Sequence, residues 1–292
     1  MKIRDILLAV LITLSWGSNW MFIKTALVDL SPFTFNAIRM LLVSLMAIPF
    51  IQSPKGKMKE AMIMGMIFGV GHIAFCVFSM GYGVDISTAV ILGQINVPLT
   101  CVLGSLFLND KLGWRRISAL VVAFAGVIIF AGTPHISANI IGISLVICTF
   151  TCWAITNVYS KAKLEGVPPL TRIGWSAIFS LPFLFGLMFY VDGIPVEMVK
   201  NASMKDWGCI FYTAIVPLLV GCSVWQYLLN KYDVSIVAPF SMLTPFFGSF
   251  FGVMFFDEAF TQSMIIGGAF IMTGVAIIVW RQPQVEEAEG NA

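Results

Sequence analysis

Ten apolar stretches alternate with short polar connectors along this chain. They lie near 6–27, 33–51, 61–82, 86–108, 116–132, 139–160, 172–191, 207–229, 235–256 and 263–280. Each is long enough to cross about 30 Å of hydrocarbon at ~1.5 Å rise per residue. Lipid offers no partners for backbone N–H and C=O groups, so such stretches must be helices. The pattern predicts an all-α membrane protein. Composition agrees: of 292 residues, 59% are hydrophobic and 11% charged, more apolar surface than a soluble domain of this length buries. The start, Met1-Lys2-Ile3-Arg4-Asp5 and then Ile6 to Leu14, imitates a signal peptide. Trp16 and Trp20 stand where small cleavage residues would be, so the segment reads as an uncleaved first span.

The first five stretches resemble the last five. Ser15-Trp16-Gly17-Ser18-Asn19 leads to Lys24, and Cys152-Trp153-Ala154-Ile155-Thr156-Asn157 leads to Lys161; Trp16/Trp153 and Lys24/Lys161 are both 137 apart. Asp85-Ile86-Ser87 matches Asp233-Val234-Ser235, Asn109-Asp110 matches Asp257-Glu258, and Gly126 matches Gly274, all 148 apart. The longer connector after residue 191 accounts for the extra residues. Pro98 and Pro245 are 147 apart, which puts the two kinks one residue out of register. The pattern predicts ten transmembrane helices arranged as two inverted five-helix repeats, over 1–133 and 139–281, with a disordered tail over 282–292. An odd number of spans per half sets the halves in opposite orientations, the arrangement that lets a central pathway open to either face in turn.

Charge placement predicts orientation. With the N-terminus inside, inside segments carry 13 lysines and arginines against 3 outside, with Arg39 left within a span. The positive-inside rule then puts both termini in the cytoplasm of a bacterial-type inner membrane. The basic residues form no stripe, so nucleic acid is not an expected partner. The six cysteines all fall within apolar stretches and read as small buried hydrophobes rather than disulfides or metal ligands.

In order and spacing these residues resemble the EamA family of the drug/metabolite transporter superfamily. The marks are Trp16-Gly17-Ser18-Asn19 with Lys24, Arg39, Leu103-Gly104 running to Asn109-Asp110-Lys111-Leu112, and Ala125-Gly126-Val127. Trp225, Lys231-Tyr232, Val237-Ala238-Pro239-Phe240-Ser241, Pro245, Asp257-Glu258 and Gln94-Ile95-Asn96 are similar to the O-acetylserine/cysteine exporter branch. Asn96 stands where that branch tends to carry a second glutamine, and Asp110 where the family usually has glutamate. The resemblance implies efflux of small amino-acid-like metabolites through a pathway walled by spans one, three, four, six, eight and nine. A drug or other metabolite permease, and action in uptake, remain alternatives.

The candidate substrate-binding residues are the polar and aromatic groups inside the spans. Arg39 is the only basic residue well inside one. It reads as a clamp for a substrate carboxylate, a gate residue pairing with an acid such as Asp29, or a structural donor to backbone carbonyls. Asn19, Thr156 and Asn157 hold matched places in spans one and six; an amide can meet either end of a zwitterion, or can join helices. Trp16 and Trp153 are near mid-span and can wall a pathway. Gln94 and Asn96 precede Pro98, which cannot donate to the Gln94 carbonyl, so the loosened turn can aim both amides at one cavity. Ser241, Thr244 and Pro245 are the related group in the second half. Pro98 and Pro245 are hinge candidates or packing kinks. His72 shares a small-residue stripe with Gly65, Gly69, Cys76 and Ser79, and reads as a packing residue or a proton carrier. Trp225 and Gln226 complete the set.

No acidic residue lies deep in a span, which argues against a carboxylate proton relay and against cationic cargo. The two histidines, His72 and His135, are in unrelated segments, and no nucleophile–base or metal motif appears. An enzyme is not expected, nor a cofactor. The expected partners are a small polar metabolite or amino acid and the lipid bilayer.

Overall fold

A computed structural model describes residues 1–54, 56–84, 86–110, 113–131, 140–256 and 261–280. Asp85, Lys111, Leu112, His135, Asp257, Glu258 and the 282–292 tail lie outside the described residues. All regular structure among the described residues is helical. The main helices are α1 Ile3–Ala26, α2 Pro32–Ala47, α3 Met58–Gly81, α4 Thr88–Leu108, α5 Trp114–Ala131, α6 Ile140–Lys163, α7 Pro169–Val191, α8 Met204–Lys231, α9 Val234–Phe255 and α10 Gln262–Trp280. Between α7 and α8 the long connector folds into a short helix, Val196–Asn201.

Seven of these (α1, α3, α4 and α6 to α9) are long and apolar enough to cross a bilayer by length and composition alone. The 16 residues of α2 span only about 24 Å, but Ile48 N–H to Ser44 O and Ile51 N–H to Ala47 O, both 3.0 Å, carry helical bonding on to Ile51. Ser31 starts α2 by accepting from Phe33 and Thr34 N–H, with Pro32 at the first helical position. The lateral surface is apolar. Cys148 is exposed there, which corrects the expectation of six buried cysteines: a thiol on the lipid side of a helix meets hydrocarbon, not protein.

Packing follows an exchange rule. α5 lies against α10 and α2 against α7, each a helix against its own repeat mate. α1 packs on α9 as α6 packs on α4, and α1 on α8 as α6 on α3. A two-fold relation between the halves produces this set of pairs. The glycines show it atom by atom. A Cβ on Gly126 would sit 2.7 Å from Ile271 N and 2.8 Å from Gly267 O, and one on Gly274 would sit 2.7 Å from both Ala119 O and Ala123 N. The pairs 126/274, 119/267 and 123/271 are each 148 apart, so one contact maps onto the other, and α5 and α10 run antiparallel.

The halves also share their irregularities. α3 carries a π-helical stretch at Met66–Ala74 and α8 one at Ala214–Gly221. α4 carries a 3-10 turn at Gly93–Ile95 and α9 one at Ala238–Met242. These loosened turns face the centre of the bundle, as such insertions often do at functional sites. Pro98 and Pro245 are each the third residue of the regular helix that follows, Asn96–Leu108 and Leu243–Phe256. The two prolines are therefore in register. The 147-residue spacing misleads because the segments ahead of them differ by one residue: seven helical and three 3-10 residues in the first half, four and five in the second.

Candidate functional site

A cavity of about 160 Å³ opens among α1, α2, α3, α4, α6, α8 and α9. Its lining runs from Trp16 to Leu27 in the second half of α1, takes Asn36 and Arg39 from the first half of α2, and Val90 to Asn96 from the start of α4. It thus occupies the half of the bundle nearest the α1–α2 turn. Trp16, Asn19, Arg39, His72, Gln94, Asn96, Trp153, Ser241 and Thr244 all line it. Span two, absent from the expected walls, contributes through Asn36 and Arg39.

The floor is aromatic. Trp16 and Trp153, the repeat mates, meet edge to face with centroids 5.6 Å apart, and Trp225 lies 5.0 Å from Trp16. Trp16 Nε1 donates to Pro217 O (3.0 Å), a carbonyl within the π stretch of α8. Trp225 Nε1 donates to Asn157 Oδ1 (3.3 Å). Trp225, Asn157 and Gln226 are buried and absent from the lining, behind this floor. His72 sits in the π stretch of α3, its ring beside Phe68, Phe150 and Trp153, with Nδ1 3.2 Å from Thr149 O. The small-residue stripe around it divides: Gly65 and Gly69 press on Ser176 and Ser180 of α7, while His72 and Cys76 face the cavity.

Arg39 is 8% exposed and its Nε has no hydrogen-bond partner. Its neighbour is the Phe35 ring, 5.4 Å from the guanidinium carbon. Neither Asp29, which is exposed, nor any backbone carbonyl is bonded to it among the described residues. Gln94 donates to Val90 O (3.0 Å) and Asn96 to Gly93 O (2.7 Å), both backbone groups at the loosened turn. Asn19 Oδ1, Gln94 Oε1 and Thr244 Oγ1 are buried without partners.

The opposite end is closed by a polar latch on the α8–α9 junction, residues 230–235. Asp5, 1% exposed, accepts from Lys231 Nζ (2.7 Å) and Tyr232 OH (2.6 Å). Lys161 Nζ donates to Tyr232 O (2.7 Å), and Arg116 donates to Asp233 (3.0 Å) and Ser235 Oγ (2.7 Å). Arg172 is buried and donates to Asn230 Oδ1 (2.9 Å), Ser160 Oγ (3.1 Å) and Val167 O (2.9 Å). Asn109 ends α4 in the left-handed conformation (φ 56°), which brings Asp110 under α9. There Asp110 Oδ2 accepts from Val234 N–H (2.6 Å) and Ser235 N–H (3.4 Å), capping a helix whose own Asp233 makes no cap. Burial raises the Asp110 carboxyl above its ordinary value; Lys161 opposes this, Asp233 adds to it, and the two N–H bonds oppose it. Sequence reasoning used these residues as markers of orientation, of the repeat and of the family resemblance, and did not bring them together. The available signal was that charges of both signs gather at the same ends of the spans.

The EamA-like transporter family matches the chain twice, over residues 3–132 and 140–280. A "Probable amino-acid metabolite efflux pump" of Escherichia coli (strain K12) is 26% identical over 295 residues, 97% of this chain and 98% of its own. A Salmonella typhimurium protein of the same name is 27% identical over 290 residues, 96% of each chain. "Uncharacterized transporter YoaV" of Bacillus subtilis is 24% identical, covering 90% of this chain and 92% of its own. A solved crystal structure shares the fold, with a TM-score of 0.74 at 15% identity over 93% of this chain and 96% of that one. Both halves of a doubled helical bundle, enclosing one cavity between them, fall under a single description: this chain is a multi-pass membrane transport protein and belongs to the EamA-like transporter family.

Proposed function

We propose that this protein exports small amino-acid-like metabolites, O-acetylserine, cysteine and related amino acids, by alternating access of its two repeats, 1–133 and 139–281. The observation that carries this reading is Arg39: a buried guanidinium on the cavity wall whose Nε has no partner and which meets no acid among the described residues. A charge held that way is expensive unless a partner arrives, and a carboxylate is the partner its planar donors fit. The volume suits small cargo, since a cavity of about 150 Å³ admits benzene. Asn19, Gln94, Asn96, Ser241 and Thr244 provide neutral donors and acceptors for the rest of the molecule, above a floor of Trp16 and Trp153.

The charge bias favours cytoplasmic termini in an inner membrane. In that orientation the cavity opens outward and the latch at 230–235 closes the cytoplasmic side. Loading of cargo from the cytoplasm then requires release of the latch, with the 3-10 turns ahead of Pro98 and Pro245 taking up the change in helix direction.

The test is efflux from liposomes that contain the purified protein and are loaded with labelled L-cysteine, O-acetyl-L-serine, L-serine or L-threonine. At least one is expected to leave faster than from protein-free liposomes, and Arg39→Gln to slow it tenfold or more. If none leaves faster than background, the reading is wrong.

A further inference from the structure

We infer, resting on the function proposed above, that the site reads its cargo through the carboxylate and places no demand on the ammonium, so that N-acyl amino acids and 2-hydroxy acids are carried along with amino acids, whereas amines without a carboxylate are not. The argument is a charge balance over the cavity wall. Among the described lining residues there is one fixed charge, the Arg39 guanidinium, and no carboxylate. A zwitterion in the cavity leaves the positive charge uncancelled overall; a monoanion cancels it. An amine adds a second positive charge to an already positive enclosure with low-dielectric walls, which is the least favourable of the three.

The neutral groups point the same way. The unpartnered acceptors Asn19 Oδ1, Gln94 Oε1 and Thr244 Oγ1 can receive an ammonium. Each can equally receive an N-acyl N–H or a hydroxyl, because none carries charge. An amide can also turn over and present its NH₂ to a carbonyl, and Thr244 can donate its own proton. A site built to require an ammonium would set an acid against it, since leaving that acid unpaired would reject every cargo lacking the charge. No acid stands among the described residues of this wall, so that basis for rejection is missing.

The test uses the full chain in liposomes and compounds matched to whichever of L-cysteine, O-acetyl-L-serine, L-serine and L-threonine leaves fastest. Efflux of that amino acid is compared with efflux of its N-acetyl derivative, its 2-hydroxy acid and its decarboxylated amine. Both anions are expected to leave within about threefold of the amino acid's rate or faster, and the amine at the protein-free rate. Arg39→Gln should slow all three carboxylates together. If that variant does not fold, competition against the wild-type protein decides: both anions should block amino-acid efflux and the amine should not. Efflux of the amino acid without either anion, or measurable efflux of the amine, overturns the inference and leaves the export function standing. No efflux of any amino acid defeats the export function itself.

Discussion

Removing the Asp110 side chain should open the latched end of the transporter. Asp110 reaches from the end of α4 to cap α9, where Val234 N–H is bonded at 2.6 Å and Ser235 N–H more weakly at 3.4 Å. In Asp110→Ala both donors lose their acceptor in a buried place, while in the open state water supplies one. Loss of such a cap costs about 1–2 kcal/mol. At 1.4 kcal/mol per factor of ten, the closed-to-open ratio should fall roughly 5- to 30-fold. Asp5–Lys231, Arg116–Asp233 and Arg172–Asn230 remain, so the equilibrium shifts without collapse of the fold. The reporter is Thr156→Cys in a background with the native cysteines replaced. Thr156 is 1% exposed and lies between Trp153 on the cavity floor and Ser160 at the latch. Labelling by a membrane-impermeant maleimide, applied from the side that bears residues 230–235, should accelerate by the same 5- to 30-fold factor. A folded Asp110→Ala protein that labels at the parent rate would refute the reasoning.

Acidification should tighten the latch through the same residue. The Asp110 carboxyl is raised in the closed state by burial, and returns to about 3.9 when opened to water. The closed state therefore binds the proton more tightly. Its extra stability is complete below the ordinary value and is lost as pH rises through the raised one. Position-156 labelling should slow as pH falls from neutral toward the ordinary carboxylate range, relative to Asp110→Asn, which keeps the acceptor and lacks the titration; an identical pH profile in the two proteins over that whole range would exclude this. Arg172→Ala should destabilise by about 3 kcal/mol or more, since the buried acceptors Val167 O, Ser160 O and Ser160 Oγ lose their donor. A midpoint of thermal aggregation within a degree of the parent's would count against it. Gly267→Val should prevent folding, because even a Cβ there would sit 2.4 Å from Phe130 N and 2.6 Å from Gly126 O; a monodisperse, membrane-inserted product on size-exclusion chromatography would contradict the close α5–α10 contact.

What the sequence fixes here is local or repeated. A bilayer demands long uninterrupted apolar runs, so the helices could be read from hydropathy, and a duplicated chain keeps matched residues at constant spacing. Trp16, Trp153, Gly126 and Gly274 were legible for that reason. Most polar residues that line the cavity were also legible, because an amide or guanidinium inside an apolar run has few places to go, although Asn36 and Thr213 went unnoticed and Asn157 and Gln226 pack behind the floor instead. Other features were not. A π stretch adds one residue to a turn and barely alters hydropathy, so the paired loosening of α3 and α8 left no trace in the pattern. The register of Pro98 with Pro245 was hidden because the helical and 3-10 segments ahead of them divide differently and total one residue fewer in the second half. Arg39 could be identified as unusual, yet whether it had a partner depended on helices that only packing brings near it. The latch depends on contacts across the whole chain, Asp5 with Lys231 and Asp110 with Val234. A charge at a helix end looks the same in sequence whether it faces water or caps another helix, and the tertiary structure alone decides between them.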